Sequence, residues 1–170
     1  MSDEPWQRTV VDGGRFEVWL PRGWELRQDT NQPPGQAYCD CRLPSGKGVF
    51  SLYRQSPPGQ SPDDRLALER SLGNVVTDER REQVVAGGQP AERLRYRTVS
   101  HRPRTVEQAA LGGDRFYTTE REIEEVVDVL FWTGTNTAAC AGYRAETDAP
   151  ADEQPLLART LDRCRPLRPL

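Results

Sequence analysis

The stretch FEVWLPRGW, residues 16–24, limits the fold more than any other part of the chain. Phe16, Val18 and Leu20 fall on one side of an extended backbone and Glu17 and Trp19 on the other, the period-two pattern of a half-buried strand. Pro21 has no N–H to donate and ends the ladder. Gly23 then permits a tight turn, after which Trp24 folds back against the sheet. Trp19 breaks the simple alternation of apolar and polar sides. Either a helix covers its face, or the ring is open to a partner; the expectation is a second sheet face covered by helices.

The same alternation returns downstream. AYCDCRL (37–43) and GVFSLYRQ (48–55) read as two strands of a hairpin closed by PSGKG, with the loop QDTNQPPGQ (28–36) before them. The link SPPGQSPDD (56–64) carries a helix start: Ser61 can cap, Pro62 suits the first helical position, and Asp63 and Asp64 favour the positive end of the dipole. Leu66, Leu68 and Leu72 supply a modest apolar side and Gly73 a stop. From 80 to 120, strands are separated by Gly87-Gly88 and Gly112-Gly113; Leu94, Tyr96 and Thr98 share one face, and Arg93, Arg95 and Arg97 the other. In EREIEEVVDVLFW (120–132), Thr119 and Glu122 imitate a capping box, but Val126, Val127, Val129, Phe131 and Trp132 favour a strand. The pattern predicts a strand over 124–133 that turns at GTN into a partner at 137–146. A last helix follows, with Pro155 in its first turn and Leu156, Leu157, Thr160, Leu161 and Cys164 on one side before Pro166. Strands, helix, many strands, helix: the order predicts one α+β domain over 1–170, an antiparallel sheet flanked by helices, with 1–14 as a flexible N-terminal extension.

Composition narrows the function. With 170 residues the chain can bury a real core without staples. A net charge of -3 argues against a general binder of nucleic acid or anionic membrane. No window holds the eighteen or so apolar residues of a membrane span, and MSDEPWQRTVV has no leader pattern, so a cytoplasmic protein is expected. Of 23 basic residues only Lys47 is lysine, a bias that resembles the codon usage of a GC-rich bacterium more than a specific function. Four cysteines are too few for a disulfide scaffold and are read as reduced thiols.

Candidate chemistry is sparse. Cys39 and Cys41 face the same way on a strand and could offer two thiolates to a metal, provided that Cys140, Cys164 or His101 converged on them. His101, the only histidine, sits in SHRPR, with no acid placed to orient its ring and no nucleophile elbow. A metal- or thiol-dependent protein built on Cys39, Cys41 and His101 is therefore the alternative; no cofactor is expected. SGKG (45–48) imitates the end of a phosphate loop but lacks the earlier glycine and the following hydroxyl residue, and it reads as a hairpin turn. Arg93, Arg95, Arg97, Arg102 and Arg104, with Tyr96 nearby, form the one basic concentration. They could hold a phosphate or an acidic peptide, or be a solvated face balanced by Glu120, Glu122, Glu124 and Glu125. Trp19, Arg93, Arg95, Tyr96 and Arg97 are the candidate partner-binding residues.

Phe16-x-Val18-x-x-Pro21-x-Gly23-Trp24 resembles the first strand and turn of PsbP-like proteins. That fold group includes the photosystem II extrinsic subunit, a Ran-binding nuclear import factor, bacterial lipoproteins and type VI effector chaperones. Gly88, Pro90, Ala91, Leu94 and Tyr96 in GGQPAERLRY are similar to the hairpin of the group that leads into a long central strand. Exported members of the group usually show a leader or lipid-anchor cysteine near the start, and the sequence given shows neither pattern; its last helix ends on Arg163-Cys164-Arg165 instead of the group's usual small and aromatic residues. The resemblance implies an α/β/α sandwich and a non-enzymatic role in binding another protein or peptide segment, as an adaptor or as a chaperone for a secreted effector. A second copy of the chain is among the partners it allows.

Overall fold

A computed structural model of the chain describes residues 5–55, 61–110 and 113–170; in the strands, the side chains of 104–110 and 113–119 lie outside the description. The first half of the Ser-Pro link, Gly112 and the side chain of Arg104 thus fall outside the described residues. The elements in order are β1 (Trp6–Val11), β2 (Phe16–Pro21), β3 (Arg27–Gln28), β4 (Gln36–Arg42), β5 (Gly48–Gln55), α1 (Pro62–Ser71), β6 (Val75–Ala86), β7 (Gln89–Ala110), β8 (Gly113–Thr133), β9 (Ala138–Glu146), α2 (Glu153–Asp162) and β10 (Arg165–Pro166).

These strands form two sheets, both antiparallel. The large one has the order β3-β4-β5-β9-β8-β7-β6, and a small one has the order β1-β2-β10. Two expectations are corrected here. Residues 6–11 are not a flexible extension: β1 pairs with β2 from Trp6↔Pro21 to Val11↔Phe16. The turn Asp12-Gly13-Gly14, all three at positive φ, brings the chain back. The strand at 16–21 also belongs to the small sheet, not to the helix-covered one, so Trp19 does not mark the second face of the large sheet.

On β8, Val127, Val129 and Phe131 face one way and Leu130 and Trp132 the other, and this alternation divides the core. Val127, Val129 and Phe131 cluster with Leu94, Tyr96 and Leu66 of α1. Leu130 and Trp132 join Ala139, Ala141, Phe50, Leu52, the inward side of β2 and Leu157 and Leu161 of α2. Each face of the large sheet therefore carries a helix, and α2 shares its face with the small sheet. Fully burying a side chain of this kind is worth about 1.5–3 kcal/mol, so β2 alone anchors the small sheet through three of them, Phe16, Val18 and Leu20.

Helix α1 begins as expected. Ser61 Oγ accepts from the Asp64 amide at 3.2 Å, the Asp64 carboxylate accepts from the Ser61 amide at 3.0 Å, and Pro62 sits in the first turn. Its buried side differs from the prediction: Leu66 and Glu69 point inward, whereas Leu68 and Leu72 are exposed. The 3.6-residue period puts 69, not 68, under the turn that holds 66. Glu69 is tolerated there because Tyr96 Oη donates to it at 2.7 Å, Asn74 donates at 2.6 Å and Arg144 is ion-paired with it.

The β6–β7 turn is Gly87-Gly88, both at positive φ, the backbone of a two-residue hairpin loop. Strand β8 starts at Gly113, well before the predicted 124. Strands β7 and β8 outrun their neighbours: β6 last pairs at Val99, and β9 last pairs at Glu125. From Ser100↔Ile123 to Ala110↔Gly113 the two continue alone as a ribbon, about 34 Å long at the usual rise per residue.

Candidate partner-binding surface

The outer face of the small sheet points away from the core on which α2 packs. Alternation along β2 sends Phe16, Val18 and Leu20 into the core and leaves Glu17 and Trp19 outside. The register then sets Arg8 beside Trp19 and Arg165 beside Glu17, one from each flanking strand. Glu17 is nevertheless only 1% exposed, because those neighbours lie over it. Arg8 Nε donates to one carboxylate oxygen at 2.5 Å, Arg165 Nε donates to the other, and Trp19 Nε1 reaches in at 3.4 Å. The hydrogen bond from Arg8, and after it those from Arg165 and Trp19, hold the Glu17 carboxyl below its ordinary range against the opposing effect of burial.

Trp19 is left half-exposed beside an open groove of about 410 Å³ lined by Glu17, Asp162, Arg163 and Arg165. On the same side, the Arg163 guanidinium lies 4.5 Å from the centroid of the half-exposed Trp6 ring, a cation–π arrangement. Two of the four tryptophans thus sit at this surface. The other two are core residues: Trp24 is buried behind Gly23, and Trp132 packs on Phe16 while its Nε1 donates to the Ala86 carbonyl at 3.2 Å.

The remaining candidates are not brought to this surface. Tyr96 is 2% exposed under α1, on the opposite side of the large sheet from Arg93, Arg95 and Arg97, and it cannot meet a partner. Burial pushes its phenol above the ordinary range. Arg93 forks onto Asp128 with bonds of 2.8 and 2.7 Å and reaches Asp162 at 3.5 Å; the Asp128 hydrogen bonds raise its pKa further. Arg95 leans on Asp128 at 3.3 Å, and Arg97 meets Glu124 at 3.2 Å. The arginine row is therefore compensated in place, by Asp128 more than by the glutamates expected. Arg102 lies 3.6 Å from Glu125, whose carboxyl is raised first by burial and then by the nearby Glu146.

Cys39 and Cys41 do face the same way, but into the core, and burial pushes their thiols up to about 12 and about 11. Cys164 is raised by the same cause, and Cys140, on the other sheet face, to about 11. His101 is exposed on β7, which three strands separate from β4 in the order of the sheet. Among the described residues, no cluster of three or more His, Cys, Asp or Glu is placed to hold a metal ion. SGKG is the β4–β5 turn, and Lys47 pairs with Asp148 at 2.7 Å.

Arg8 and Arg165 had no sequence signal. They lie at opposite ends of the chain and meet only because the two-residue β10 closes the small sheet. The arginines around Cys164 were legible only as an unusual helix ending.

No protein-family model matches the chain, and no curated protein matches it in sequence. Among solved structures it is similar to the cyanobacterial PsbP (CyanoP) of Synechocystis sp. PCC 6803. The two are 14% identical, the alignment covers 98% of this chain and 95% of that one, and the TM-score is 0.56. A protein of Bacteroides thetaiotaomicron aligns over 95% of this chain and 48% of its own at 12% identity, with a TM-score of 0.42. The first likeness concerns the fold: it is a PsbP-like α+β fold, as the N-terminal motif implied. Among the described residues no helix is long and apolar enough to cross a membrane.

Proposed function

We propose that the chain is a non-catalytic protein-binding module, an adaptor that docks a partner on the outer face of its small sheet. The observation that carries this reading is the half-exposed Trp19 beside an open groove, between two arginines that a buried carboxylate holds in place. Tryptophan and arginine are the residues on which binding energy concentrates in protein interfaces, and a pre-set side chain loses little entropy on docking. The adaptor form is preferred to a chaperone that grips a client helix on an open sheet, because each face of the large sheet already carries a helix of its own. Cys39, Cys41 and Cys164 are buried and form no disulfide, which suits a reducing compartment such as the cytoplasm.

A photo-crosslinking benzoylphenylalanine placed at position 19 in the native host tests the reading. A discrete adduct is expected there and not with the same probe at Arg97, which is also exposed. Absence of an adduct at 19, or the same adducts at both positions, would remove it.

A further inference from the structure

The guanidiniums of Arg8 and Arg165 are each engaged on one edge only. Both reach Glu17 through Nε, and no other hydrogen bond or ion pair joins either side chain to a described residue. A guanidinium has five N–H donors in a fixed plane, so the Nη groups of both remain available, and the two side chains are 50% and 57% exposed. Arg163, stacked on Trp6, has no anionic partner among the described residues either. With Glu17 covered, the described residues of the face present three guanidiniums against one exposed carboxylate, Asp162, which is itself 3.5 Å from Arg93. In a chain of net charge -3 this is a segregated basic surface.

We propose that this face recognises an extended acidic segment of the partner, two of whose carboxylates are received by the free Nη edges of Arg8 and Arg165; this rests on the docking surface proposed above. A planar fork matches a carboxylate with two parallel bonds. Buried Glu17 acts as the positioning residue that fixes both forks before binding. A free inorganic oxyanion would use the same donors but would leave Trp19, Trp6 and the exposed Val10 of β1 without apolar contacts, whereas a peptide with apolar residues between its acids would cover them.

The test is a titration followed by the fluorescence of the chain's own tryptophans, using a tryptophan-free octapeptide that alternates glutamate with leucine and its glutamine counterpart. The glutamate peptide should bind saturably at low salt and weaken as salt rises. The glutamine peptide, and the glutamate peptide against Arg165→Gln, should each bind at least about tenfold more weakly. Arg163→Gln, which leaves the Glu17 cluster intact, should also weaken binding and covers the case in which Arg165→Gln fails to fold. Equal binding of the two peptides, no binding of either, or arginine variants with wild-type affinity would overturn the proposal. So would inorganic phosphate binding as tightly as the glutamate peptide. If both peptides bind equally and Trp19→Ala abolishes both, acidic recognition fails while the docking surface stands. If the arginines govern glutamate binding but position 19 yields no adduct in the host, the oxyanion forks stand and the docking surface fails.

Discussion

The rings of Phe16 and Trp132 meet with centroids 5.9 Å apart and planes tilted by 59°, joining β2 of the small sheet to β8 of the large one. Edge-to-face and tilted aromatic pairs of this kind add to the area that they bury. Phe16→Ala should cost about 3–5 kcal/mol of stability, read from the shift of the urea midpoint. A cost below about 1 kcal/mol would mean that the small sheet is not seated on the core in this way.

Tyr96 Oη donates to Glu69 at 2.7 Å, which ties α1 to the centre of the large sheet. Tyr96→Phe keeps the ring and removes the donor, leaving the buried carboxylate to Arg144, Asn74 and the more distant Arg65. A loss of about 1.5–3 kcal/mol is expected, the usual range for a hydrogen bond to a charged group. Amide exchange along α1 should speed up with it. Unchanged exchange would show that Glu69 is held without the tyrosine.

The architecture was legible where alternation and caps were strong. Phe16, Val18 and Leu20 declare a strand with one buried side, and Ser61-Pro62 declares a helix start. Strand β1 was not legible, because the inward positions that follow from its register, Gln7 and Thr9, are polar and only Val11 is apolar. A strand that is half buried by a partner across a hairpin needs little hydrophobicity of its own. Alternation puts Glu17 on the side of β2 opposite Phe16 and Val18, but it does not give the length of the neighbouring side chains that cover it. The clamp of Arg8 and Arg165 is a long-range pairing, and no local pattern encodes it. The arginine row on β7 looked like a site because its counter-charge, Asp128, lies on another strand.

Thr98 is fully buried, and its hydroxyl has no hydrogen-bond partner among the described residues. An unsatisfied buried hydroxyl costs about 1–3 kcal/mol, and valine has nearly the same shape and suits a strand. Thr98→Val should therefore stabilise the fold by about 1 kcal/mol, with an unchanged dependence on denaturant. Destabilisation by a similar amount would show that the hydroxyl is bonded, for instance to a buried water.

Cys39, Cys41 and Cys164 are buried, and their thiols are held in the neutral form by desolvation. The thiolate is the reactive form, so Ellman's reagent at pH 8 should label these three only as fast as the native protein opens. All should react at once in denaturant. Rapid labelling of Cys39 in the folded protein would restore the thiol-dependent alternative.

Glu17 gives the fold a defined response to acid. Its carboxyl is held below the ordinary value of 4.5, chiefly by the hydrogen bond from Arg8. A group with a lowered folded-state pKa binds fewer protons when folded than when unfolded. Its contribution is therefore complete above pH 4.5 and is lost as the pH falls through the folded-state value. The difference in stability between wild type and Glu17→Gln, measured by urea unfolding, should be constant from pH 7 down to about 5 and should shrink below that. Subtracting the variant cancels the carboxylates that both proteins share, so what remains belongs to Glu17. Arg8→Gln should shrink the difference between pH 5 and 7, because it removes the donor that lowers the pKa most. A difference that stays flat down to pH 3 would mean that Glu17 is not the charged centre of this clamp, and the two guanidiniums would then lack the anchor that presents them.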